Sequence, residues 1–67
     1  MRRKADVSIR NEGSLMLFRL ETPAARAWRD EHVSEDSIDF GGALVVEPRY
    51  AADLAHGMMA DGLVVRG

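Results

Sequence analysis

With 67 residues and no cysteine, the chain has the length of a single domain and no means of stapling it with a disulfide. A domain of this size buries only about 60% of the surface its unfolded chain exposes, so most of its apolar side chains are needed for the core and self-association would relieve a tight balance. A formal net charge of −2 argues against a strongly basic nucleic-acid binder, and no apolar run approaches the roughly 18 residues of a membrane span.

The opening Met1-Arg2-Arg3-Lys4 is basic but runs into Ala5-Asp6 without the apolar stretch of a signal peptide, so a cytoplasmic protein is expected. Residues 1–5 read as a flexible basic N-terminus and 6–67 as one domain. Three of the nine basic side chains lie in that N-terminus, which leaves six against eleven acidic ones in the body. Five of the acids, Asp30, Glu31, Glu35, Asp36 and Asp39, fall within ten residues that contain no Lys or Arg, and they predict an acidic surface there.

In chain order, Val7 and Ile9 alternate with Ser8 and Arg10 in the period of a half-buried strand. Asn11-Glu12-Gly13-Ser14 reads as a turn. Leu15 to Leu20 returns as a second strand, with Met16, Phe18 and Leu20 on one face and Leu15, Leu17 and Arg19 on the other. Both faces are largely apolar, so this strand is either covered on both sides or presents a patch to a partner.

Thr22-Pro23 starts a helix, with Thr as the cap and Pro at the first helical position. Ala24, Ala27 and Trp28 are expected on its inner side and Arg26, Arg29 and Asp30 on its outer side, with the end near Glu31 or His32 because one more turn would carry Val33 to solvent. Val33 to Ser37 follows as an acidic loop. Ile38 and Phe40 form a short strand. Gly41-Gly42 is a hairpin turn or a bulge, which the sequence leaves open. Leu44-Val45-Val46 reads as an interior strand. Pro48 opens a second helix with Ala51, Leu54, Ala55 and Met58 inward and Arg49, Ala52, Asp53 and His56 outward, stopped by Asp61-Gly62. Leu63-Val64-Val65 closes the pattern.

The expected fold class is α+β: one two-layer sandwich, with a mainly antiparallel sheet of four to five strands and two helices on one face, in the order ββα(β)βαβ. Trp28, Leu54 and Met58 are expected to pack on Met16, Phe18, Val46 and Val64. A compact strand-helix-strand unit at the end favours a right-handed parallel crossover.

Chemistry-bearing patterns are sparse. His32 and His56 are the only side chains that ordinarily titrate near neutrality, and a zinc site needs three or four converging ligands, so both read as surface residues. None of Ser8, Ser14, Ser34 and Ser37 sits in a G-x-S-x-G turn. Gly41-Gly42 precedes a strand and lacks the G-x-G-x-x-G spacing of a phosphate cradle. Phe18 and Phe40 lie at core positions, without the basic-aromatic motif of a base-stacking sheet. No catalytic, cofactor-binding or metal-binding residue is therefore expected, nor a cofactor, nor direct contact with nucleic acid or membrane.

What remains is binding to protein. The acids from Asp30 to Asp39 are either a solvated loop or a surface that meets a basic groove, with carboxylates standing where phosphates would lie. Leu15, Leu17 and Arg19 form a second candidate face, for a homodimer or for docking.

N-E-G-S at Asn11 to Ser14, A-x-x-W at Ala25 to Trp28, F-G-G-A-L-V-V-E-P-R-Y at Phe40 to Tyr50 and D-G-L at Asp61 to Leu63 together resemble a group of short, uncharacterised proteins of bacteria and their phages. Small acidic phage proteins of this kind include anti-CRISPR inhibitors, which bind a host interference complex and block it without catalysis. The resemblance implies a non-enzymatic protein-binding module that docks through an acidic surface on a host complex, with a nucleic-acid-binding complex as the expected partner. The alternative is a small homodimeric accessory or regulatory protein, antitoxin-like or transcription-linked.

Overall fold

The polar-apolar alternation at the start of the chain forms β1, Val7–Asn11, and the run after the turn forms β2, Met16–Leu20. The computed structural model describes residues 4–33 and 38–67, with the side chain of Phe40 outside that set. Helix α1 is Pro23–His32, strands β3 and β4 are Asp39–Phe40 and Ala43–Val46, helix α2 is Pro48–Ala60 and strand β5 is Val65–Arg66. The five strands stand in the order β3-β4-β2-β1-β5. Neighbours run antiparallel, except that β5 joins β1 in parallel. Strands β4 and β5 therefore run the same way with β2 and β1 between them, so the α2 connection passes over two strands. The result is the two-layer α+β sandwich that the pattern predicts.

Cross-strand register puts Val7, Ile9 and Asn11 opposite Leu20, Phe18 and Met16, and Phe18 and Met16 opposite Leu44 and Val46. These side chains meet Ala25 of α1 and Ala51, Ala55 and Met58 of α2 in one core, in which Val7, Phe18 and Met58 are fully buried. Val65, one residue beyond the predicted Val64, is the closing-strand side chain that packs there. The backbone of Val64 is taken up instead by Asp6 and Val7, whose N–H groups donate to its carbonyl at 2.8 and 3.1 Å.

Gly41 and Gly42, at φ 56° and 82°, make a two-residue hairpin turn between Phe40 and its partner Ala43. Two successive positive φ values match the right-handed strand twist, and only glycine takes them without strain. That decides against a bulge. β3 is shorter than expected: Ile38 lies outside it, 68% exposed, although its carbonyl accepts from Val45 N–H at 2.9 Å.

Thr22 caps α1 as predicted: its Oγ1 accepts from Ala25 N–H at 3.2 Å, with Pro23 in the first turn. The helix phase differs from expectation. Ala25 is fully buried while Ala24 and Ala27 are exposed, Trp28 is half-buried, and Arg29 turns inward. Alanines on both sides of the helix carry no phase information, and contacts distant in sequence set it instead. α1 ends at His32, and the extended Val33 (φ −114°, ψ 137°) swings back onto the core.

α2 buries the predicted side. It ends in a paired cap: Gly62 N–H donates to Met59 O and Leu63 N–H to Met58 O, both at 3.0 Å, with Gly62 at φ 92°. Gly57 sits inside this helix, against the Trp28 ring. A Cβ placed there would stand 3.5 Å from the ring, an ordinary contact, and the backbone is helical. Gly57→Ala is accordingly expected to stabilise the fold by about 0.5–1 kcal/mol, read as a rise in thermal midpoint. A fall would mean that Trp28 needs the space.

Candidate interaction surfaces

Two pairs fix the rotation and height of α1. Arg29 Nη2 lies 2.8 Å from both carboxylate oxygens of Asp39, joining α1 to β3. Trp28 Nε1–H donates to Asp61 Oδ2 at 2.6 Å, joining α1 to the cap of α2. The His32 ring stacks on Trp28 with centroids 4.3 Å apart and planes at 12°. Its Nδ1 lies 2.9 Å from the Trp28 carbonyl, which can only accept, so Nδ1 donates there, and Nε2 lies 3.5 Å from Asp61 Oδ2. An open depression of about 570 Å³ lies beside this stack, bordered by Ala24, Ala27, Glu31 and Leu63.

The predicted acidic stretch divides. Asp30 (side chain 72% exposed) and Glu31 stand out from α1 into solvent, with Arg29 Nη1 3.4 Å from Asp30 Oδ1 at the edge of the Arg29–Asp39 pair. Asp39 is half exposed and engaged by Arg29, so its charge is largely answered within the fold. Glu35 and Asp36 lie outside the described residues, as do Ser34 and Ser37. Arg29, expected to point outward, is drawn in by Asp39 until only 21% of its side chain is exposed.

A third long-range group went unnoticed in the sequence. The Asp6 carboxylate accepts from Thr22 Oγ1–H at 2.7 Å and from Val64 N–H at 2.8 Å, tying the cap of α1 and the approach to β5 to the start of β1. Its partners stand 16 and 58 residues away. No local spacing could have pointed to them.

The other candidate face is the side of the sheet opposite the helices. Ser8, Arg10, Leu17, Arg19, Glu21 and Ala43 line a depression of about 210 Å³ on it. Leu17 and Val45 are half-buried, Arg10 and Arg19 are exposed, and Leu15, just ahead of β2, is 41% exposed. Of the predicted trio, Leu17 and Arg19 lie on this face within β2, and Leu15 lies in the turn.

Among the described residues, no group of three or more His, Cys, Asp or Glu side chains is placed to hold a metal ion, and no helix is long and apolar enough to cross a membrane. His56 is exposed on α2, as expected. Compared with protein-family models, curated proteins and solved structures, the chain matches none.

Proposed function

We propose that the chain is a non-enzymatic protein-binding module, acting in the cytoplasm as an anti-CRISPR-like inhibitor of a phage or mobile element that docks on a basic surface of a host complex. The observation that carries this reading is the presentation of Asp30 and Glu31. Both carboxylates project from a helix anchored at its start by Thr22 and Asp6 and further along by the Trp28–Asp61 and Arg29–Asp39 contacts. Acids held on a rigid ridge lose little conformational freedom on docking, and they steer association with a surface that has evolved to hold phosphates. The stacked Trp28 and His32 beside them supply the aromatic area that binding sites favour.

The test is co-purification with a host interference complex, followed by target-DNA cleavage by that complex. The protein is expected to bind and to suppress cleavage, more weakly as salt rises. Asp30→Lys combined with Glu31→Lys is expected to abolish both effects while leaving the thermal midpoint within a few degrees, since surface substitutions away from core contacts cost little. Asp39→Lys makes a poor probe, because it removes the close two-oxygen Arg29 anchor, whereas Asp30→Lys gives up only the longer 3.4 Å contact to Arg29 at an exposed site. Binding that survives the double reversal rules out the α1 ridge as the docking surface, and unimpaired cleavage at saturating protein rules out the inhibitor.

A further inference from the structure

We propose that the open depression between α1 and the end of α2 is a slot for an arginine side chain of a protein partner. The inference rests on the docking role proposed above and names the group that the partner inserts. Ala24, Ala27, Trp28 and Glu31 stand at i, i+3, i+4 and i+7, so they form one stripe along α1, and Asp61 and Leu63 close the far side. The apolar pattern of this stripe reads as a buried side. In the fold, Ala24 and Ala27 are exposed and Trp28 is half-buried, so nothing among the described residues fills the space of about 570 Å³ beside them.

Charge selects the occupant. Glu31 and Asp61 border the depression, and no Lys or Arg does. At the other depressions the acids are answered: Asp39 by Arg29, Glu47 by Arg49 at 2.8 Å, and Glu21 by sharing its face with Arg10 and Arg19. Here, among the described residues, Glu31 has no ion-pair partner, and Asp61 is engaged through Oδ2 alone, by Trp28 Nε1–H at 2.6 Å and by the His32 ring at 3.5 Å. The stacked Trp28 and His32 rings add an aromatic wall. A guanidinium meets both features, because its plane lies against aromatic rings while its N–H edge donates to carboxylates, and it sheds water more readily than an ammonium. Its aliphatic stem suits Ala24, Ala27 and Leu63. A neutral ligand would strip water from two carboxylates without replacing it. The slot is also built in advance: the Asp61 N–H donates to the Gly57 and Met58 carbonyls, both at 3.2 Å, and the Trp28 indole holds the carboxylate, so little freedom is lost on binding.

The test titrates the full chain with a blocked Gly-Arg-Gly peptide. Trp28 is the only tryptophan, so its indole N–H gives a single NMR resonance that reports on the slot. A saturable shift is expected, with a dissociation constant on the order of 10 mM. Lysine in place of arginine is expected to bind at least about threefold more weakly, and citrulline, which keeps the shape without the charge, to give no saturable shift. Asp61→Asn keeps an acceptor for the Trp28 indole, and Glu31→Gln lies at an exposed site. Each is expected to leave the thermal midpoint within a few degrees and to weaken the arginine peptide about threefold, and the two together about tenfold. The proposal is overturned by an arginine peptide that leaves the indole resonance in place, by a lysine or citrulline peptide that binds equally well, or by a double variant of unaltered affinity. The titration needs no host complex. Peptide binding without capture of a host complex therefore removes only the docking role, and capture without peptide binding removes only the slot.

Discussion

Phe18→Ala is expected to leave the chain unfolded at room temperature. Phe18 is fully buried on β2, the middle strand of the sheet, with Ile9 on one side and Leu44 on the other. Removing a buried aromatic ring costs about 3–5 kcal/mol, from lost transfer energy and from the cavity left behind. A single core in a domain this small supplies a net stability of only about 3–5 kcal/mol. The loss and the reserve are of the same size. Trp28 is the only tryptophan and sits between the helices, so its fluorescence in a urea titration follows the fold directly. A cooperative transition near the wild-type midpoint would show that Phe18 is not the centre of the core.

Asp6→Ala is expected to cost about 2–4 kcal/mol, nearly as much from a polar side chain. The carboxylate accepts from Thr22 Oγ1–H and Val64 N–H in a partly buried setting, and each hydrogen bond to a charged group contributes about 1.5–3 kcal/mol before discounting for solvent. The substitution also leaves the Val64 N–H and the Thr22 hydroxyl to find other partners. Asp6→Asn preserves the shape and one carbonyl acceptor, and about half the loss is expected. Thr22→Val should remove the helix cap together with one Asp6 contact, and a double-mutant cycle between the two positions should give a coupling of about 1–2 kcal/mol. An Asp6→Ala protein that melts alongside the wild type would deny the Asp6 contacts to Thr22 and Val64 any energetic role.

The fold was legible where a local rule acts on its own. Thr22-Pro23 and Asp61-Gly62 mark helix ends through chemistry contained in a few residues, and the α2 stripe from Ala51 to Met58 reads directly as a buried side. The phase of α1 was not legible, because Ala24, Ala25 and Ala27 suit a buried or an exposed position equally well and Arg29 and Trp28 are placed by partners on other elements. Val65 in place of Val64 is an error of one residue in a two-residue strand, where period-two alternation has nothing to lock onto. The composition of the acidic stretch was visible, but its division was not. Only the fold brings Arg29 to Asp39 and leaves Asp30 and Glu31 outward. The open sheet face was half visible, since the alternation gave Leu17 and Arg19 their side while Val45, Ser8 and Glu21 join them only through strand pairing.

The parallel strand at the end of the sheet has a consequence for how the protein is made. Asp6 is synthesised 58 residues before Val64, yet the two close on each other. Until then Val7 and Ser8 of β1 lack the neighbour that β5 supplies, and the whole five-residue strand is an unpaired edge onto which another chain can add. Chains that end upstream of Val64 would keep that edge bare, and they are expected to aggregate more readily than the full chain.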